Sequence, residues 1–218
     1  WKIYHFHDTT PTAKVKKMGD LHDNELLRPD ASNLAAFLYM LREAHPTHYR
    51  KIVRTIRRVA PFFDDFVLRP SRLNPDHIRL EWREQGTDLY FDANTLSDGT
   101  LRFICLVTLL LQPERPSLIL VDEPELGLHP AAITILADLM RSAAQEVQLI
   151  VSTQSVPLVN QFTPDDVVVV DRKGGQSQFT RLDTVDLSNW LDKYYGLGDL
   201  WEKNVIGGRP QHPEAPVL

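Results

Sequence analysis

None of the ten glycines in this chain is followed by lysine, so its 218 residues contain no G-x-x-x-x-G-K-[ST] phosphate loop. Cysteine is nearly absent: the single Cys105 excludes an internal disulfide, and its place inside the apolar run 103–111 reads as a buried thiol of a reducing compartment, the cytoplasm. That run is the longest apolar stretch, is interrupted by Thr108, and falls well short of the roughly 20 residues that cross a bilayer. No membrane span is expected. Basic residues are the minority, 24 against 29 acidic, and the net charge of −5 argues against a generally basic surface wrapped in nucleic acid, though local patches can still bind phosphates. What is present is 43% apolar and 24% charged, an ordinary globular composition with material for one core. The chain opens on Trp1-Lys2-Ile3-Tyr4-His5-Phe6, which reads as a strand entering from an upstream segment rather than as a signal peptide.

Residues 8–30 are polar and irregular, and Asp30-Ala31-Ser32-Asn33 then supplies capping side chains for a helix over 34–43. A second helix, 47–60, carries Ile52, Val53, Ile56, Val59 and Ala60 on one side and Arg50, Lys51, Arg54, Arg57 and Arg58 on the other. Short strands follow at 66–68, 78–82 and 89–91, the last two joined by a turn around Gly86. From Thr100 onward, helix and apolar strand alternate. The runs 118–121, 149–151 and 167–170 are nearly continuous in apolar residues, as expected of parallel strands covered on both faces, with 131–141 as the crossover helix. This alternation predicts an α/β fold whose ligands bind at the carboxyl ends of the strands. A strand at 178–182, a helix at 187–195 and a disordered tail at 207–218 complete the expectation.

Three short polar elements terminate apolar runs. Asp122 and Glu123 follow the strand 118–121, so both carboxylates emerge at its carboxyl end. Asp122 can hold Mg²⁺, a hard cation that prefers oxygen ligands, while Glu123 can orient and deprotonate an attacking water; the plainer alternative is an Asp-Glu-Pro turn closing a strand. Leu96-Ser97-Asp98-Gly99-Thr100 precedes a helix, so a hydroxyl and free backbone N–H groups converge at a positive helix end, an anion site, or simply a serine cap and a glycine turn. Gln154 follows the strand 149–151, where its amide can reach a terminal phosphate or serve only as a polar turn residue. Three such elements in this order are far less expected by chance than any one.

In that order and spacing the chain resembles ABC-type ATPases of the SMC-like, RecF-like and Old-like branch, and specifically the C-terminal part of the cassette. The resemblance implies a P-loop NTPase-like, mainly parallel sheet over residues 1–206, with a helical segment at 31–60 and a small β-rich part before a core at 87–183. It makes 96–100 the signature, 118–123 the Walker B strand, Glu125-Leu126-Gly127-Leu128-His129 the D-loop, and Gln154 the switch position. It further implies ATP as substrate, Mg²⁺ as cofactor, and a head-to-tail homodimer in which Ser97, Gly99 and Thr100 contact ATP held by the opposite subunit. A phosphate loop would then lie upstream or on another chain. Two departures stand out: Asp98 replaces a glycine and brings negative charge toward a phosphate unless it is paired, and Gln154 replaces a histidine, keeping a hydrogen bond without a chargeable donor.

Weaker signals remain. Arg50, Lys51, Arg54, Arg57 and Arg58 can grip a DNA backbone, although a solvated helix face is the simpler explanation. His5, His7 and Asp8 sit in a strand-like stretch whose alternate residues share a face, but sequence offers them no third ligand nearby. Trp82, Tyr90 and Phe91 read as packing aromatics, and Asp165, Asp166 and Asp171 as solvated strand ends rather than a nuclease centre. The leading expectation is an ATP hydrolase engine that dimerises on nucleotide and is linked to DNA maintenance or defence, with this segment inactive without the missing loop. The alternative is a non-hydrolytic, nucleotide-gated clamp for DNA or protein.

Overall fold

A computed structural model describes residues 2–182, 187 and 196–208. They fall into two compact units, Trp1–Ser152 and Thr153–Leu218. In chain order the first unit runs β1 (Lys2–Tyr4), β2 (Gly19–Asp20), α1 (Leu34–Ala44), α2 (Pro46–Val59), β3 (Phe63–Phe66), β4 (His77–Ile78), β5 (Glu81–Glu84), β6 (Tyr90–Asp92), α3 (Asp98–Leu111), β7 (Leu118–Asp122), α4 (Pro130–Ala143) and β8 (Gln148–Ser152). The second contains α5 (Val156–Val159), β9 (Val168–Lys173), β10 (Gln176–Arg181) and α6 (Leu197–Glu202).

The first unit is built on a parallel sheet in the order β1-β7-β8. Its register places Ile3, Leu120 and Ile150 in one row and Tyr4, Val121 and Val151 in the next. Because successive residues of a strand point to opposite faces, these rows face opposite ways. Tyr4, Ile119 and Val121 are buried, whereas Ile3 and Ile150 remain 40% and 48% exposed. Apolar side chains therefore stand open on one face of a parallel sheet, a class normally covered on both.

The helices expected at 34–43, 47–60 and 131–141, and the one after the 97–99 turn, form. α1 begins directly after Asn33, but the Asn33 side chain does not cap it: the amide accepts from the Arg28 N–H and donates to the carbonyls of Asp23 and Leu26, fastening the irregular segment that precedes the helix. α2 packs on both α1 and α3, and α3 packs on α4. In α3 every residue from Leu101 to Leu110 is buried, so this helix lies inside the unit. Cys105 is among them, and burial pushes its thiol up to about 12, leaving it neutral and unreactive at physiological pH. Among the described residues no helix is long and apolar enough to cross a membrane.

The small β-rich part separates into an antiparallel sheet β3-β5-β6 and a two-stranded pair β2-β4. Trp82 anchors the first, stacked 6.0 Å from Phe63 and donating its indole N–H to the Thr95 hydroxyl. Tyr90 departs from the packing expectation. It is 54% exposed, with the Arg69 guanidinium 4.5 Å above its ring.

The second unit corrects one strand. The run 167–170 does not join a parallel sheet: β9 pairs antiparallel with β10 in a two-stranded hairpin, with Val169 buried and Val168 and Val170 exposed. An unbroken valine run cannot distinguish a strand covered on both faces from one covered on a single face, and here the hairpin turn 174–175 sets the pairing. Its small core gathers Leu187, Leu197 and Leu200 with Val159, Val167, Leu182 and Ile206. Asp166 is held by the N–H and hydroxyl of Thr163, and Asp171 accepts from the Gly208 N–H, so both carboxylates serve local structure. The expected helix 187–195 and the tail beyond Gly208 lie outside the described residues, apart from Leu187.

Candidate functional site

The parallel register brings the ends of β7 and β8 level, with Asp122 opposite Ser152. The Ser152 hydroxyl donates to Asp122 Oδ1, and the Glu123 N–H donates to the Ser152 carbonyl at 2.9 Å, extending the ladder one step past the strand. Glu123 then turns with φ of 40°, in the left-handed region that non-glycine residues rarely enter. A strained backbone at an acidic residue on a strand end is the kind of outlier that concentrates at working sites.

The segment after β1 arrives at the same place. His7 Nε2 lies 3.7 Å from Asp122 Oδ2, and ligand atoms of His5, His7 and Asp122 all fall within 4.8 Å of one another. Asp8 is elsewhere: its carboxylate accepts from the N–H and hydroxyl of Thr10 in a local turn. The acid beside the two histidines is therefore supplied by β7.

The turn 97–100 opens α3. Ser97 is its N-cap, accepting from the Thr100 N–H at 3.2 Å and sharing a 2.8 Å hydrogen bond with the Thr100 hydroxyl. The helix starts at Asp98, two residues before the expected start near Thr100. Asp98 is paired: Lys16 Nζ approaches it to 3.9 Å while donating to the Thr9 carbonyl, and the Lys16 side chain is only 5% exposed. Gly99 is fixed by packing. A Cβ there would stand 2.1 Å from the carbonyl oxygen of Gly127, itself at φ of 78°. The signature-like turn and the stretch 125–129 thus touch through two glycines. Downstream, the His129 side chain accepts from the Ala131 N–H and caps α4, while Leu126 is 49% exposed.

Arg102, which no local sequence pattern singles out, links these parts. Its guanidinium donates to the carbonyl of Phe6 at 3.0 Å, to that of His7 at 3.3 Å, and to that of Leu126. The segment carrying the histidines, the helix of the signature-like turn and the 125–129 stretch all meet on one side chain that is 6% exposed. Burial lowers its pKa, against an upward pull from Asp98, Glu123 and Glu125, and an arginine remains charged under such opposing shifts. The available sequence signal was a lone cation at the start of an apolar helix, which must find buried acceptors.

Two groups of candidates remain. Gln154 is exposed and belongs to the second unit, just before the Ser155 cap of α5. On α2, Arg50, Lys51, Arg54 and Arg58 are exposed, while Arg57 turns inward to the Asp64 carbonyl and carboxylate at 2.7 and 2.9 Å.

The profile of a family described as "AAA domain, putative AbiEii toxin, Type IV TA system" matches residues 7–160. No curated protein matches the chain. Among solved structures it is similar to a chain from work on ATP-driven dimerization and DNA-stimulated activation of SMC ATPases, at 17% identity and TM-score 0.51, covering 73% of this chain and 99% of that one. It is also similar to an Smc head bound to the C-winged helix domain of ScpA, at 17% identity and TM-score 0.59, covering 81% and 55%. A third likeness is to a Pyrococcus furiosus Smc head with an extended coiled coil bound to the C-terminal domain of ScpA, at 17% identity and TM-score 0.54, covering 76% and 44%. This chain spans about half the length of the two ScpA-bound heads. At such identity these likenesses establish the fold, that of an SMC-type ATPase head.

Proposed function

We infer that this chain, which belongs to the family of AAA domains described as putative AbiEii toxins, is the signature and Walker B part of an ATP-hydrolysing engine. The observation that carries the reading is the pair Asp122 and Glu123 at the carboxyl end of a parallel strand, level with Ser152 and with Glu123 held in a left-handed turn. In open α/β sheets, ligands bind outside such strand ends.

Hydrolysis of ATP needs a water oxygen to attack the γ-phosphorus as the bond to ADP breaks, with the proton of the water taken up elsewhere. Glu123 takes that proton. Its backbone is fixed by the hydrogen bond to Ser152, so the side chain leaves the strand end from a set position. Gln154 donates its amide to the terminal phosphate, orienting it. In the dimer, the Ser97 and Thr100 hydroxyls and the Gly99 N–H receive the phosphates of the ATP held by the partner, while the Thr100 N–H stays on the Ser97 cap. The lysine-paired Asp98 then offers less repulsion to those phosphates. Glu125 to His129 follow as the D-loop, their position set by Gly99 and Arg102.

A divalent cation fits this place on the donor set. Asp122 is exposed, one of its oxygens is occupied by Ser152, and the other faces the unbonded Nε2 of His7. Asp122 would hold Mg²⁺, which supplies charge neutralisation at the phosphate oxygens.

The phosphate loop must come from an upstream segment or another polypeptide. The exposed apolar row of Ile3 and Ile150 on the parallel sheet supports a further layer of protein against this face. In the assembly that includes the loop, Glu123→Gln is expected to lower ATP turnover by at least about 100-fold and to accumulate an ATP-bound dimer. Hydrolysis at the unaltered rate would reject the role of Glu123.

The exposed basic face of α2 favours a second reading, a nucleotide-gated clamp on DNA in which closure rather than turnover is the output. Retention of DNA by the Glu123→Gln dimer without hydrolysis would favour it.

A further inference from the structure

The structure assigns a binding site for a divalent first-row transition-metal ion of the Zn²⁺ type to His5, His7 and Asp122. The inference rests on the geometry of these side chains; such an ion would use the Asp122 oxygen that the proposed function gives to Mg²⁺, so the two ions compete for one position.

The three ligands come from neighbouring parallel strands. β1 lies beside β7 with Tyr4 opposite Val121, so the residues continuing each strand emerge side by side. His5 and His7 are two residues apart in the extended segment leaving β1, a spacing that puts both imidazoles on one side. Asp122 is the next residue of β7 after Val121 and completes the set. It is separated from His7 by 115 residues, which is why the sequence offered the histidines no third ligand.

The distances suit a shared ion better than direct contact. At 3.7 Å, His7 Nε2 and Asp122 Oδ2 are too far apart for a hydrogen bond. Two ligands bound to Zn²⁺ at about 2.0–2.2 Å with tetrahedral angles lie roughly 3.4 Å apart. His7 Nε2 is also shielded from solvent and has no hydrogen-bond partner. A buried imidazole nitrogen without a partner is costly, and a cation removes that cost.

The surroundings fix the ligands as an outer shell does. The Ser152 hydroxyl occupies Asp122 Oδ1 and so presents Oδ2 to the histidines. Arg102 grips the His7 carbonyl, and the His5 N–H donates to the Pro29 carbonyl at 2.9 Å, so both backbones are tethered. Two imidazoles and one carboxylate form a nitrogen-rich set that suits zinc, cobalt or nickel, whereas Mg²⁺ favours oxygen alone. Three protein ligands leave a fourth position for water or a phosphate oxygen.

Cobalt(II) is the probe, because its visible absorption reports nitrogen and oxygen ligation directly. Titrated into the purified 218-residue chain without nucleotide, Co²⁺ is expected to bind at one equivalent, to resist millimolar Mg²⁺ and to be displaced by Zn²⁺. His5→Ala, His7→Ala and Asp122→Asn should each weaken binding by more than the about 10–100-fold typical of losing an outer partner, and Ser152→Ala by about that amount. Asp8→Ala and His22→Ala should leave it unchanged. Failure of the native chain to develop the Co²⁺ spectrum overturns the site, as does equal loss in the two control variants. Because both histidines lie at or near the surface, circular dichroism of His5→Ala and His7→Ala should match the native chain. ATP turnover plays no part in these readings, so a negative result leaves the role of Glu123 untouched.

Discussion

Helices α2 and α3 are each 14 residues long and pack against one another, yet they are constructed on opposite principles. α2 buries only Tyr49, Ile52, Val53 and Ile56 and turns most of its cations to solvent. α3 is enclosed from Leu101 to Leu110 and meets solvent mainly at its first turn, where Ser97 and Asp98 are exposed. A helix held over ten consecutive residues cannot rotate or slide without opening the core. The position of its N-terminal N–H groups is therefore a property of the whole first unit, whereas the charges of α2 can change with little structural consequence. Rigid placement suits the proposed phosphate contact with a second copy, and a variable surface suits the proposed contact with DNA.

The comparison breaks most severely at Gly99. Gly99→Ala would drive a methyl into the Gly127 carbonyl and is expected to destabilise the first unit by about 3 kcal/mol or more, seen as a lowered urea midpoint. A midpoint equal to that of the native chain would show that the 97–100 turn and the 125–129 stretch are not locked together. Next comes Arg102→Met, which keeps the packed stem but strands the carbonyls of Phe6, His7 and Leu126, at an expected cost of about 2 kcal/mol. The loss should be accompanied by faster amide exchange at 125–128, which a simple packing defect in α3 would not produce.

The smallest effect on stability belongs to α2. Replacing Arg50, Lys51, Arg54 and Arg58 together by glutamine should alter unfolding by no more than about 0.5 kcal/mol. If this face binds DNA, the same change lowers affinity at low salt and flattens its dependence on salt. Unaltered affinity would remove the face as a nucleic-acid contact. Arg57 is kept native in this design because its guanidinium is engaged with Asp64.

Periodicity made much of this architecture legible. The amphipathic 47–60 and the apolar 118–121 and 149–151 were expected where α2, β7 and β8 form, because each pattern is local and repeats at the period of its element. Asp122 and Glu123 were legible for the same reason, since residues ending a buried strand must emerge. Arg102 was not: its worth lies in three carbonyls, two of them 95 and 96 residues away, that no local pattern reveals. The hairpin of β9 and β10 was not legible because a valine run marks a strand without saying whether one face or both are covered, or which neighbour it pairs with. Asp8 was the nearest acid to His5 and His7 in sequence, yet strand adjacency rather than chain adjacency chose Asp122.

The φ of 40° at Glu123 has an evolutionary corollary. A side chain with a Cβ in this conformation sacrifices about 1–2 kcal/mol relative to glycine, and asparagine tolerates it better. Selection for heat resistance alone would therefore erode this glutamate early, and lineages in which it serves no reaction should drift toward glycine or asparagine here while their folds persist.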